Sequence, residues 1–177
     1  MNEKYELTEE FKEIETLREG WLQKIKVYRI RALRAFADVK IGDLGGFVET
    51  KQNLSNMGNA WVYGNAEVYG DAWVRDNAWV CDNAEVCGDA KVCDNANIFW
   101  CSSIGSRHAT TTMFRNKDNG ITVTCGCFMG TLEEFAAIVE KEHGENIFGK
   151  EYKLLIELAK IHFGLQDETK GEEENGI

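Results

Sequence analysis

"GNAWVYGNAEVYGDAWV" at residues 58–74 repeats a unit of six residues, and "RDNAWVCDNAEVCGDAKVCDNANIF" continues the repeat through residues 75–99. Each unit contains an Ala followed two positions later by Val or Ile, and Gly, Asn and Asp fill the positions between units. Alternation places the Ala and the Val on one face of a short strand. Gly, Asn and Asp tolerate the backbone angles of tight turns. The stretch therefore predicts short strands joined by bends, each burying its face against its neighbours.

This repeat resembles the hexapeptide-repeat family of left-handed parallel β-helices. The family signature is an aliphatic residue with a small residue two positions before it, as in Ala66-Glu67-Val68 and Ala84-Glu85-Val86. The resemblance covers residues 54–108 and implies three hexapeptides per triangular coil, so that residues eighteen apart stack. The predicted fold class is mainly β: a left-handed parallel β-helix with an N-terminal β cap and a C-terminal unit of a β-hairpin and two helices.

The flanking segments do not keep the six-residue period. Residues 1–53 are predicted to form a strand-and-turn cap, and residues 54–108 the β-helix. Residues 109–164 are predicted to form a hairpin, with "NKDNG" at its turn, and two helices; the first would open with a capping box between Thr131 and Glu134. Residues 165–177 form an acidic tail that is expected to be solvated.

Composition narrows the classes of function. The 177 residues carry a net charge of −10, which argues against general binding of nucleic acid. No apolar run approaches 18 residues and no secretory leader is evident, so we expect a cytoplasmic protein without a membrane span, with its six cysteines reduced. We expect no metal and no cofactor, because Cys81, Cys87 and Cys93 would point in three directions and Cys125 and Cys127 lack further ligands.

Stacking at eighteen residues assigns the outward-pointing side chains to three faces. The aromatic face carries Trp61, Tyr63, Trp79 and Phe99. So much outward apolar surface predicts a subunit interface, and members of the resembled family are commonly homotrimers. Two alternatives stay open, namely a surface for a partner or ligand, and a cover formed by the terminal segments of the same chain. A second face carries Glu67, Tyr69, Glu85 and Cys87.

The remaining face, which we call the Trp73 face, carries Trp73, Arg75, Lys91 and Cys93. An aromatic ring can stack on a nucleotide base while a nearby cation holds a phosphate. Trp73, Arg75 and Lys91 are therefore the predicted ligand-binding residues.

An acyltransferase is the enzymatic alternative, because the resembled family is best known for acyl transfer with a histidine as general base. His108, in "SRHATTT", is the histidine nearest to the repeat, but it lies beyond the regular units and has no evident carboxylate partner. The uninterrupted repeat also lacks an inserted loop to frame a substrate. A protein without catalytic activity is the favoured interpretation.

The flanks "VYRIRALRAFADVKIGDLGGFVETKQNLSNMGNAWVYGNA", residues 27–66, and "NGITVTCGCFMGTLEEFAAIVEKEHG", residues 119–144, are similar to uncharacterised repeat proteins common in phages and prophages. This resemblance implies a non-enzymatic counter-defence factor in the cytoplasm of a host cell. Such a factor would bind and inhibit a host immune protein or sequester a small nucleotide signal. A structural or assembly protein is a further alternative.

Overall fold

The N-terminal region is a long antiparallel hairpin. The computed structural model describes residues 3–18, 21–93 and 95–165, so the predicted acidic tail lies outside the described residues except for Leu165. Strands β1 (Tyr5–Arg18) and β2 (Trp21–Ala32) pair antiparallel, and β2 also pairs antiparallel with β3 (Leu44–Val48). One face of β2 is buried through Ile25, Val27 and Ile30.

The repeat forms six strands of two residues each: β4 (Trp61–Val62), β5 (Glu67–Val68), β6 (Trp73–Val74), β7 (Trp79–Val80), β8 (Glu85–Val86) and β9 (Lys91–Val92). They pair in parallel as β4 with β7, β5 with β8 and β6 with β9, always between residues eighteen apart. The Val of every pair and the Ala two positions before it are buried. The predicted eighteen-residue register is therefore present in these three pairs.

The predicted left-handed parallel β-helix is nevertheless wrong as a description of the fold. Over the described residues the strands are distributed among several separate sheets, of five, four, two and two strands, and they do not form a single parallel β-helix. The five-stranded sheet has the order β1-β2-β3-β5-β8 and combines antiparallel with parallel pairs. Two-residue strands make few ladder hydrogen bonds, and β5 obtains a second neighbour from β3 instead of from another repeat unit. The six-residue period carries no information about that pairing.

The C-terminal region is an antiparallel sheet covered by two helices. Strands β10 (Ile98–Ile104), β11 (Ala109–Arg115), β12 (Ile121–Cys125) and β13 (Phe128–Thr131) follow one another in the sheet. Helix α1 (Leu132–His143) begins with the predicted capping box, in which Thr131 and Glu134 exchange hydrogen bonds. Helix α2 (Ile147–Phe163) ends at Gly164 in the left-handed conformation. No helix in the described part of the chain combines the length and the apolar composition needed to cross a bilayer.

Buried apolar side chains form two clusters. The first joins the Ala and Val residues of the repeat to the inner face of the N-terminal hairpin and to Tyr5 and Trp61. The second lies between the four-stranded sheet and the two helices, around Met113, Phe135 and Leu155. The repeat therefore lies between two folded flanking regions. Only those of its outward side chains that the flanking regions leave uncovered remain on the surface.

Two glycines test how closely successive units of the repeat approach each other. Gly58 has φ +68°, and a Cβ there would lie 2.5 Å from the Asp76 carbonyl oxygen. Gly88 has φ +64° with no atom within 4 Å of such a Cβ.

We expect Gly88→Ala to lower the free energy of unfolding by about 1–2 kcal/mol, the cost of a left-handed backbone alone. Gly58→Ala should cost more because its methyl group must displace backbone. Equal losses in urea unfolding would contradict this packing.

Candidate functional site

Strands β6 and β9 bring the predicted ligand-binding residues together. Trp73 and Lys91 are direct partners in the parallel pair, and Val74 and Val92 beside them are buried. Since side chains alternate along a strand, Trp73 and Lys91 point away from the core. The Trp73 side chain is 43% exposed and Lys91 is exposed. Arg75 follows directly, and its backbone N–H donates to the Val92 carbonyl oxygen at 3.0 Å.

Arg75 has an unsatisfied hydrogen-bond donor next to the exposed indole. Its guanidinium carbon lies 5.0 Å from the centre of the Trp73 ring, a cation–π contact. The Nη1 atom donates to the Asp76 carboxylate at 2.7 Å. The Nε atom is buried and has no hydrogen-bond partner within the described part of the chain. Because the Nε atom is buried, a ligand would contact the exposed part of the guanidinium; the Arg75 side chain is 38% exposed.

The Trp73 face therefore combines a flat aromatic surface with cationic donors. Lys91 supplies a second positive charge on the same parallel pair, while Asp76 neutralises part of the charge of Arg75. An indole ring binds the face of a planar ring, and guanidinium and ammonium groups bind phosphate oxygens. These groups can hold a ligand, and they do not by themselves provide a general base.

The aromatic face is not one exposed patch. Trp61 is only 1% exposed, because Tyr5 and Phe36 contact its ring at centroid distances of 6.2 Å and 5.3 Å. Tyr63 and Trp79 are half-buried and contact each other at 5.7 Å. For Trp61 the structure shows the alternative of a cover by the chain's own N-terminal segment. The homotrimer stays a prediction.

Phe99, the fourth residue predicted for the subunit interface, lies on β10, which pairs with β11. Its ring centre is 5.2 Å from that of His162 on α2, and Phe99 packs against the C-terminal cluster. Phe99 therefore lies in a different sheet from Trp61.

The second face of the repeat is covered by both flanking regions, the N-terminal hairpin at Glu67 and the C-terminal sheet at Cys87, which sequence reasoning did not predict. Lys12 on β1 pairs with Glu67 at 3.0 Å. The Tyr69 hydroxyl donates to the Glu85 carboxylate, and the buried Cys87 thiol lies 3.4 Å from the Met129 sulfur. Glu67 and Glu85 are direct partners in the parallel pair of β5 with β8.

A cleft of about 600 Å³ opens beside this covered face. Arg18 at the end of β1 forms an ion pair with Glu49, and the same Glu49 oxygen accepts the Gly70 N–H at 2.9 Å. Tyr69 and Cys87 also line the cleft. Arg18 and Glu49 neutralise each other there, and the remaining charged group of the lining, Asp71, is acidic and does not favour a phosphate.

Burial sets the protonation behaviour of Glu85. Burial raises the pKa of this carboxyl above its ordinary range, and the negative charge of Glu67 raises it further. The hydrogen bond from Tyr69 acts in the opposite direction. Burial likewise raises the pKa of the Cys87 thiol to about 12, so this cysteine is protonated at neutral pH and is a poor nucleophile.

All six cysteines are free thiols, and they do not share one site. Cys87 is buried, Cys127 is exposed, and the other four have intermediate exposure. Cys125 and Cys127 both line a smaller cavity of about 330 Å³ next to Phe135 and Tyr152. Among the described residues, no three His, Cys, Asp or Glu side chains are placed to hold a metal ion.

His108, the residue proposed as general base under the acyltransferase alternative, lies in the exposed turn between β10 and β11. Its backbone has φ +48°, and its N–H donates to the Gly105 carbonyl oxygen at 3.1 Å. Within the residues that the structure describes, no carboxylate forms an ion pair or a hydrogen bond with its imidazole. The Trp73 face lies on β6 and β9, so His108 and the predicted ligand-binding residues belong to two separate candidate sites.

No protein-family model matches this chain, and a search of curated proteins finds no match to its sequence. The resemblance to hexapeptide-repeat proteins therefore rests on the repeat itself.

The two tryptophans that begin β4 and β6 should respond differently to truncation. Trp61→Ala removes a fully buried ring and should lower the free energy of unfolding by about 3–5 kcal/mol. Trp73→Ala removes a ring that is 43% exposed and should cost less than about 1 kcal/mol. Guanidinium unfolding followed by circular dichroism measures both. Similar losses would contradict the placement of Trp61 beneath the N-terminal segment.

Glu85 should make stability depend on pH. Because the pKa of Glu85 is raised on folding, the folded state holds this proton more tightly than the unfolded chain, and wild-type stability falls as the pH rises through the raised pKa. Glu85→Gln removes the charge and keeps an acceptor for Tyr69. The variant should exceed wild type in stability at about pH 8, and the two should converge near pH 4.

Glu13→Gln, which changes an exposed carboxylate on β1, is the matched control and should alter stability little at either pH. A Glu85→Gln variant that is less stable than wild type at alkaline pH would show that the hydrogen bond from Tyr69 dominates over burial.

Proposed function

We propose that this protein is a non-enzymatic binding protein that holds a planar, phosphate-bearing ligand of the nucleotide class on the Trp73 face. The observation that carries the proposal is the partly exposed guanidinium of Arg75, which lies 5.0 Å from the ring centre of the exposed Trp73, with Lys91 paired to Trp73 on the neighbouring strand. A stacked base would cover Trp73, and phosphate oxygens would accept from Arg75 and Lys91. Base stacking alone contributes roughly 1–3 kcal/mol per base.

The overall charge of the chain supports selection of a small ligand over a nucleic-acid polymer. A net charge of −10 repels an extended phosphate backbone. Arg75 and Lys91 form a local cationic spot that a single nucleotide can occupy without approaching the acidic remainder of the surface.

The biological setting follows from the resemblance of the flanks to phage proteins. We propose that the protein acts in the cytoplasm of a host cell as a counter-defence factor that sequesters a nucleotide signal. Direct inhibition of a host immune protein stays a sequence-based prediction, since no surface described above favours that partner specifically.

The proposal predicts specific loss of binding when the Trp73 face is altered. Isothermal titration calorimetry of the full chain with cyclic nucleotides and with adenosine diphosphate-ribose should give at least one saturable heat. Trp73→Ala should weaken that binding roughly 5- to 150-fold, the equivalent of about 1–3 kcal/mol. Arg75→Ala should weaken it as well.

Matched controls separate this site from general surface effects. Trp21→Ala removes a tryptophan that is 75% exposed on the N-terminal hairpin, and Arg31→Ala removes an arginine with a 47% exposed side chain. Both controls should bind like wild type. Absence of binding for every probe, or equal binding by wild type and Trp73→Ala, would overturn the proposal.

A further inference from the structure

Helix α2 has two apolar faces, and only one of them is packed. Its buried side contacts the four-stranded sheet and α1 through Tyr152, Leu155, Ile156, Ala159 and Phe163. Another side presents a stripe of Ile147, Leu154, Leu158, Ile161 and, just beyond the helix, Leu165. Leu154 is 72% exposed and Ile161 is 78% exposed. We call these five residues the α2 stripe.

The α2 stripe has the spacing of a helix–helix contact. From Leu154 onward its members are separated by four, three and four residues, which is the a/d pattern of a coiled coil. Within the helix, from Ile147 to Ile161, the stripe is about 21 Å long at 1.5 Å per residue. An apolar seam of this length on one helix fits the seam of another helix, and exposed apolar stripes of this kind mark interaction surfaces.

We propose that the α2 stripe binds the α2 stripe of a second copy of this chain, in an antiparallel, two-fold arrangement. A two-fold contact uses the same patch on both subunits, so the apolar stripe of one copy binds the same stripe of the other copy. Residues 166–177, "QDETKGEEENGI", contain one aliphatic residue, Ile177, and do not match an apolar seam of four leucine and isoleucine positions within the helix. The α2 stripe of a second copy is apolar, and we therefore take it as the partner of this seam.

Charges beside the stripe favour the antiparallel orientation. Lys150 and Glu157 lie seven residues apart along the same edge of the seam, and both are exposed. In a parallel two-fold pair the two copies of this edge lie on opposite sides of the seam, so Lys150 of one copy does not meet Glu157 of the other. An antiparallel pair brings each Lys150 towards Glu157 of the other copy, and edge charges of this kind set helix orientation. Glu157 is held in a suitable position by Lys160, 2.8 Å away.

This contact is independent of the proposed ligand-binding function. The stripe lies on α2, whereas Trp73, Arg75 and Lys91 lie on or next to β6 and β9. It also differs from the predicted trimer contact, whose half-buried members Tyr63 and Trp79 lie in the repeat. Failure of one proposal therefore leaves the other unaffected.

The test is the mass of the full chain in solution, measured by light scattering across micromolar concentrations. Wild type should have twice the 20.0 kDa mass of one chain, and the double variant Leu154→Glu with Ile161→Glu should have the mass of one chain. Ile41→Glu is the control, because Ile41 is 72% exposed, as Leu154 is, but lies outside α2. It should keep the wild-type mass. Thermal unfolding by circular dichroism verifies that each variant is folded.

Orientation is tested by exchanging charges. Lys150→Glu and Glu157→Lys should each shift the dimer towards monomer, and the double exchange should restore the wild-type mass. A monomeric wild type would overturn the proposal and leave a different protein or residues 166–177 as the cover of the stripe. An oligomer that survives the Leu154 and Ile161 substitutions but is lost on Trp79→Glu would overturn it in favour of the aromatic face.

Discussion

The structure depends on parallel pairing between strands of only two residues. Each pair joins residues eighteen apart and buries a Val beneath it, as in Val62 with Val80. Such short strands have few hydrogen bonds of their own, so the repeat relies on burial of its Ala and Val columns and on β3, which pairs with β5. The N-terminal hairpin and β3 therefore stabilise the repeat directly, through the five-stranded sheet that they share with β5 and β8.

Local features were predictable because their causes are local. The start of α1 followed from Thr131 and Glu134, whereas the pairing of residues eighteen apart was implied by the resemblance to hexapeptide-repeat proteins. The β-helix prediction was wrong because the period does not specify the strands outside the repeat that complete its sheets. Trp61 and Trp73 illustrate the same limit: both precede a buried Val, yet one is 1% and the other 43% exposed. The difference depends on Tyr5 and Phe36, which are remote in sequence from both.

The candidate site shows the same division between local and distant causes. Placing Trp73, Arg75 and Lys91 on one side required only the register, and the parallel pair of β6 with β9 provides it. The unsatisfied Nε of Arg75 depends on the side-chain arrangement around it and has no sequence signature. The α2 stripe was partly visible in sequence, but the apolar residues of α2 are too numerous for periodicity to separate the packed side from the exposed one.

The central claim is that the Trp73 face is where a ligand binds, and amide hydrogen exchange locates binding directly. The measurement compares the full chain alone with the chain saturated by the tightest nucleotide probe. The account predicts slower exchange at residues 73–76 and 91–93, with little change at Arg18 or Glu49 beside the cleft. Protection confined to that cleft, or no protection at residues 73–76 at saturation, would contradict it.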